Sequence, residues 1–351
     1  MLADYPCPVC QATAWQPVQD FVYDTRDRTT SVPVYRRYWQ RLQRHLGLLW
    51  FNAPYPRVVS VPPLNKAQRL RRQVLFECWF PGAETVTLTS LLCSQCGFMT
   101  YTPRPTTPDL QAKYAFLASE PGLHDSATEL YDIARAQRMY QAVIAHFHTR
   151  THPLEILDYG GGDGRLMQPF LQRGDHCFLV DYASAIRPGV VKLGDELEVV
   201  PTDRVFDVII CSHVLEHLAD PLEIVQQLRA RLKPAGLLYA EVPQEIWGGI
   251  RIEYDPVTHV NFFTQYTLEY LFLCAGYSIL TSRQIWGSYG KAQKAVIWLL
   301  AQPSDAPAAL PTTLFSSEIN LHPGRIRSLW RLLRQFVPTR IPDVSDEVML
   351  L

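Results

Sequence analysis

Between residues 151 and 302, short apolar runs alternate with stretches whose apolar residues recur every three or four positions. The runs are "LEILDYG", "HCFLVDYA", "GVVKLG", "FDVIICS" and "GLLYAEVP". Their length and their Val, Ile and Leu content predict strands buried on both faces. The stretches "GRLMQPFLQRG", "DPLEIVQQLRARLKP" and "TLEYLFLCAGY" predict helices between them. Two more runs, "YSILTSRQIWG" and "KAQKAVIWLLAQ", predict closing strands. Such alternation argues for an α/β fold, a parallel sheet whose crossovers are helices.

Upstream the pattern differs. Residues 1–105 are irregular and Pro-rich, with strand-like pieces such as "ETVTLTSLLC". A basic helical insertion runs from about 25 to 80 in the sequence. Its Arg26–Arg72 tract holds eleven Lys/Arg against a single acid, Asp27. "YRRYWQRLQRHLGLLW" has a helical period, and "NKAQRLRRQVLFECWF" predicts a second helix. Residues 106–150 read as connecting helices, one starting near Pro108 and a longer amphipathic one in "DSATELYDIARAQRMYQAVIAHF". A tail over 303–351 carries one basic helix around "GRIRSLWRLLRQF".

Composition narrows the classes. Hydrophobic residues make up 47% of the chain, which excludes disorder over most of its length. The formal net charge of -1 gives no global field that would select nucleic acid or membrane. No apolar run approaches the roughly 18 residues of a membrane helix. The start, "MLADYPCPVC", lacks the basic and apolar regions of a secretory signal. The expectation is a soluble, cytoplasmic protein. Of eight cysteines, four form two CxxC pairs, Cys7/Cys10 and Cys93/Cys96, and that spacing points to metal. The other four sit in apolar surroundings as small hydrophobes.

The stretch "EILDYGGGDGRL" sets four glycines between a strand pattern and a helix pattern. Glycine there permits unusual dihedrals and close approach of a ligand to the backbone. A helix following such a turn presents unpaired N–H groups. A dinucleotide fold requires G-x-G-x-x-G, but the sixth position from Gly160 is Arg165, which disfavours a dehydrogenase. The spacing is Gly160-x-Gly162-x-Gly164, preceded by Asp158. That acid repels a pyrophosphate but can hold an ammonium group. Asp181, about twenty residues on, ends the next strand, where a carboxylate can grip both ribose hydroxyls. A ligand with a ribose, an amino acid head and no phosphate satisfies both acids: S-adenosylmethionine.

Together with "LVDYA", "FDVIICSHVLEHLADPLEIVQQLRARLKPAGLLYAEVP" and "THVNFFTQYTLEYLFLCAGY", this stretch resembles a class I S-adenosylmethionine-dependent methyltransferase. The resemblance implies a doubly wound, Rossmann-like α/β sheet of seven strands, mostly parallel with the last antiparallel. It implies that Asp158, Gly160, Gly162 and Gly164 line the methionine side and that Asp181 binds the ribose. Asp195 would lie near the adenine, with Asp203 as the alternative, and Ser212 and His213 would line the pocket. The two knuckles "CPVC" and "CSQCG", with "TPRPTTPDLQAKY" after the second, resemble the N-terminal zinc-binding domain of sugar C-methyltransferases. That implies a smaller zinc-ribbon-like module in which Cys7, Cys10, Cys93 and Cys96 hold one structural Zn(2+). The 82 residues between Cys10 and Cys93 would then be an insertion, which loop-closure entropy tolerates. The tyrosine/serine-rich substrate motif of those sugar enzymes is absent, so the acceptor stays open.

Methyl transfer from a sulfonium is an in-line displacement that needs alignment and, for some acceptors, removal of a proton. Candidate groups are His259, His217 and Glu216, with His259 first because it follows the fifth strand. Glu253, Tyr254 and Asp255 are candidates to shape the acceptor pocket. After the fourth strand the chain reads "CSHVLE" rather than the Asn/Asp-Pro-Pro-aromatic segment of base-amine methylating enzymes. A small-molecule carbon or oxygen acceptor fits better. The basic insertion reads as a solvated face, as a clamp for an anionic ligand such as a nucleotide-linked sugar, or as an RNA contact. The alternatives are a zinc-ribbon RNA methyltransferase and a non-catalytic S-adenosylmethionine-binding protein.

Overall fold

The computed structural model describes residues 5–25, 66–118, 126–147, 152–247, 251–252, 257–289 and 292–305. Within the N-terminal part lie β1 (Trp15–Asp24), α1 (Lys66–Gln73), β2 (Thr85–Cys93), β3 (Met99–Thr102) and α2 (Thr107–Ala118). After α3 (Ser126–Ile144) come β4 (Glu155–Tyr159), α4 (Gln168–Arg173), β5 (His176–Val180), β6 (Val190–Gly194) and β7 (Phe206–Ser212). Then follow α5 (Pro221–Ala230), β8 (Leu232–Pro243), β9 (Ile246–Trp247), β10 (Arg251–Ile252), α6 (Gln265–Cys274), β11 (Tyr277–Tyr289) and β12 (Ala292–Pro303).

The main sheet has seven strands in the order β11-β12-β8-β7-β4-β5-β6. β12 is antiparallel to both neighbours, and every other pairing from β8 to β6 is parallel. This is the expected α/β, Rossmann-like sheet. All of β7 is buried, which explains why "FDVIICS" carries no polar alternation. Chain order reverses between β4 and β7, which puts the topological switch point at their carboxyl ends, where ligands bind in open α/β sheets. Asp220 caps α5 by accepting from Glu223 N, and Thr264 and Thr267 form a reciprocal cap on α6.

Three elements differ from the sequence pattern. The glycine loop runs into a 3₁₀ turn over Arg165–Met167, so α4 starts at Gln168 and is short. The helix in "DPLEIVQQLRARLKP" ends at Ala230, because Arg231 turns to donate to the Val200 and Leu197 carbonyls and β8 already pairs with Phe206 at Leu232. β1, hidden in a segment read as irregular, pairs antiparallel with β2, which also pairs with β3. The helix expected in "YRRYWQRLQRHLGLLW", most of the tail over 303–351, and Glu253, Tyr254 and Asp255 lie outside the described residues. Among the described residues no helix is long and apolar enough to cross a membrane.

The small sheet packs directly on the large one. Phe98 meets Phe263 at 5.3 Å between ring centroids, and Met99 O accepts from Phe262 N at 3.0 Å. Cys7, Cys93, Cys96 and Trp15 belong to the same core as Leu268 and Phe272 of α6 and Leu238 of β8. Leu75 and Trp79, after α1, pack with Val257, Val260 and Phe262. The N-terminal module therefore builds against the segment that carries His259.

Candidate functional site: a donor crevice and an acceptor face

The bend after β4 is held by backbone contacts. Gly160, Gly162 and Gly164 all have positive φ. At Gly160 an added Cβ would stand 2.5 Å from Val214 Cγ2, and at Gly161 one would stand 2.0 Å from Asp158 Oδ2. Asp158 is fully buried at the end of β4, and neither carboxylate oxygen has a hydrogen-bond partner. Burial pushes its carboxyl up to about 7, Arg135 works against the shift, and Asp181 and Asp163 add to it. Across the bend, Asp181 Oδ2 accepts from Gly162 N at 2.8 Å and Oδ1 from Ala183 N at 2.7 Å. The two acids predicted from the sequence thus meet at one turn. Asp195, largely exposed and paired with Lys192, directly follows Gly194, whose carbonyl accepts from Asp181 N at 3.1 Å, and Asp203 is exposed.

The far wall holds Ser212 and His213. His213 sits at φ 58 and donates its N–H to Glu241 O. Its imidazole lies 3.1 Å from Glu216 Oε1 and 3.5 Å from Glu241 Oε1. Burial opposes its charge, yet these two carboxylates hold its pKa above the ordinary value. Ser212 Oγ accepts from Arg135 of α3. The Arg135 and Arg138 guanidiniums reach Glu241 at 2.8 and 2.6 Å, and Tyr239 donates to it at 2.8 Å. Arg135 also faces Asp132, which receives Arg165 at 3.1 Å. This network fixes α3 over the crevice. A sequence signal for it exists in Glu241, a charge inside the apolar run "GLLYAEVP".

The acceptor face lies beside it. Glu216 is almost wholly buried; burial raises its carboxyl, but the His213 hydrogen bond and the His217 and His259 charges bring it down to about 2. His217, from the same turn, is held well below its ordinary pKa by burial. The His217 and His259 rings meet edge to face at 4.7 Å, and Tyr114 of α2 stands edge-on to His217 at 6.0 Å. Glu245 Oε2 lies 2.7 Å from His259 Nδ1. All three predicted acceptor-side residues are thus brought together.

Two backbone segments are tied to make this possible. Val260 N and Asn261 N both donate to Glu216 O, at 2.8 and 3.1 Å, and Asn261 Nδ2 donates to Leu215 O and Leu218 O. Arg104 donates to Thr100 Oγ1, Val260 O, Leu218 O, Ala219 O and Asn261 Oδ1. Lys113 holds Val257 O and Thr258 O. The segment "TPRPTTPDLQAKY" carried Arg104, Lys113 and Tyr114 without assigning them a role, and Glu245 and the two arginines of α3 were not singled out from the sequence.

Residues 131–282 match the model of a methyltransferase domain. Over that part the chain is similar to the methyltransferase family. It resembles the ubiquinone biosynthesis O-methyltransferase of Rickettsia akari, 26% identical over 114 residues, covering 29% of this chain and 45% of that protein. A shorter match, 59% identical over 34 residues, joins 10% of the chain to 14% of the enzyme of the same name from Histophilus somni. The chain spans less than half the length of these curated relatives. Among solved structures, the 1,6-didemethyltoxoflavin-N1-methyltransferase of Burkholderia thailandensis is similar at 20% identity and a TM-score of 0.48. That match covers 60% of this chain and 97% of the other.

Against the matched region sits the four-cysteine cluster. Cys7 Sγ lies 3.6 Å from Cys96 Sγ, and Cys10 Sγ 3.5 Å from Cys93 Sγ. These separations are far too long for disulfides, about 2.05 Å, and near the edge, about 3.8 Å, of a tetrahedron with 2.3 Å metal–sulfur bonds. Each knuckle turns alike: Gln11 N donates to Cys7 O and Gly97 N to Cys93 O, with positive φ at Gln11 and Gly97. Burial pushes the Cys7 thiol up.

Proposed function

We propose that this protein transfers the methyl group of S-adenosylmethionine to an oxygen of a small molecule. The observation that carries the reading is Asp158, a buried carboxylate without a partner beneath a glycine bend. Such a group is costly unless a cation meets it. The ammonium of an amino acid head supplies that cation, and Asp181 presents a second carboxylate within reach of a ribose. When bound, S-adenosylmethionine supplies an electrophilic methyl on a sulfonium. The matched methyltransferase family and relatives named O-methyltransferases support this chemistry and favour oxygen over carbon.

The remaining work falls to the chain. Gly160 and Gly162 admit the ligand to the backbone, and Asp158 and Asp181 orient it. Ser212 and His213 close the crevice between donor and acceptor. On the acceptor face, His259, held by Glu245, and His217, backed by Glu216, line the place where an acceptor hydroxyl must lose its proton. The four cysteines hold a structural Zn(2+): all four ligand positions are filled by the protein, leaving none for substrate.

Calorimetric titration with S-adenosylmethionine and S-adenosylhomocysteine tests the donor site, and binding of both is expected. Labelled donor offered with a metabolite extract, followed by mass spectrometry, identifies the product. His259→Ala should cut turnover and leave donor affinity nearly intact. No heat with either nucleoside refutes the reading.

A further inference from the structure

We propose that Glu216, His217 and His259 bind a divalent cation on the acceptor face, separate from the four-cysteine cluster. Their ligand atoms all lie within 4.8 Å of one another. Two imidazoles and one carboxylate suit a first-row cation such as Zn(2+), Co(2+) or Fe(2+). Three protein ligands leave coordination positions open for substrate, as four cysteines do not.

Two observations point to a ligand rather than to a self-contained cluster. Glu216 is 1% exposed, yet its Oε2 has no hydrogen-bond partner, and His217 Nδ1 is likewise buried without one. A cation would satisfy buried polar atoms that the protein leaves unmatched. Independently, the contact of Glu245 with His259 Nδ1 at 2.7 Å is the carboxylate–histidine arrangement that orients a metal ligand and leaves Nε2 to bind. The bonds from Val260 N and Asn261 N to Glu216 O hold the two ligand-bearing segments together without the ion. The candidate ligands are thus largely preassembled by backbone and outer contacts.

The inference deepens the methyl-transfer reading and rests on it for its chemical consequence. A hydroxyl bound to the cation at an open position is more acidic. It loses its proton to solvent, its oxygen forms the new C–O bond, and the methyl–sulfur bond breaks, leaving a neutral thioether. The acceptor class follows: a hydroxyl with a second oxygen beside it, a vicinal diol or catechol, able to chelate. The imidazoles then serve as ligands, and the cation lowers the hydroxyl pKa.

The test uses the full chain equilibrated with Zn(2+), desalted and analysed for metal. Wild type should hold two ions per chain and His217→Ala/His259→Ala one. Glu245→Gln, which leaves every ligand in place, should weaken the second ion about 10- to 100-fold. Co(2+) titration should give a band from nitrogen and oxygen ligation in wild type that the double variant lacks. One ion in wild type, or identical Co(2+) spectra for wild type and the double variant, overturns the proposal. Calorimetry with S-adenosylmethionine on the same proteins separates the two readings. Donor binding without the second ion removes the cation alone, whereas the second ion without donor binding removes the methyl-transfer reading and leaves the site.

Discussion

The buried carboxylate of Asp158 makes donor binding depend on pH in a calculable way. In the free protein its carboxyl is raised from 3.8 to about 7, chiefly by burial. Between these values the native chain keeps a proton that the unfolded chain has released, so this group's contribution to stability falls as pH rises through that window. Donor binding runs the other way. An ammonium at the bend requires the carboxylate, and the apparent dissociation constant is the intrinsic one divided by the ionised fraction. Lowering pH from about 7.5 to about 5.5 reduces that fraction about 25-fold, so affinity should weaken by about 1.9 kcal/mol. At pH 7, binding should release about half a proton per chain, seen as a dependence of calorimetric heat on the buffer's ionisation enthalpy. Asp158→Asn should bind weakly and lose most of the slope. Equal affinity for the variant at pH 7.5, or an unchanged slope, would refute the reasoning.

Other substitutions probe the remaining parts. Gly161→Ala places a methyl against Asp158 Oδ2, and overpacking of about 1–3 kcal/mol should weaken donor binding about 5- to 160-fold in the same titration. Glu241→Gln removes the charge that faces Arg135 and Arg138 from a fully buried position, and urea unfolding should show a loss of about 3–5 kcal/mol. Cys93→Ser should lower bound zinc by one ion per chain and reduce the melting temperature. It should also slow turnover, because the cluster shares a core with α6. Unchanged turnover in a zinc-free, folded Cys93→Ser protein would show that the module is a passive neighbour.

The sheet was legible because its strands are buried on both faces, which leaves continuous apolar runs such as "FDVIICS". The glycine bend was legible because four glycines between a strand pattern and a helix pattern mark a tight turn, which the positive φ of Gly160, Gly162 and Gly164 bears out. The acceptor face was legible only in its parts. "LEH" and "HVNFFT" named Glu216, His217 and His259, but their meeting depends on Asn261 reaching back 46 residues to Leu215 O. The role of Arg104, visible only as part of "TPRPTTPDLQAKY", was illegible for the same reason, since its contact with Val260 O joins residues 156 apart. Local periodicity reports which face an element buries, not what a polar side chain finds there. β1 escaped notice because its exposed positions mix polar Gln16 and Asp20 with apolar Pro17 and Val22, which leaves no clean alternation, while its pairing with β2 supplies the order.

The N-terminal module and the acceptor face form one mechanical unit. Burial lowers the pKa of the Arg104 guanidinium, with Tyr5 the leading opposing influence. What stabilises a cation there is the set of oxygens turned toward it: the carbonyls of Leu218, Ala219 and Val260, Asn261 Oδ1 and Thr100 Oγ1. Three of these segments come from different parts of the chain. Thr100 belongs to β3, which follows the Cys93/Cys96 knuckle, and Thr100 Oγ1 itself donates to Val260 O at 2.8 Å. Ordering of the knuckle therefore passes through β3 to Val260 and Asn261, and from there to Glu216 through its backbone oxygen. An ion held by the four cysteines, as proposed, would thus act on the spacing of His217 and His259, and a loosened cluster should degrade acceptor chemistry before it degrades the donor bend.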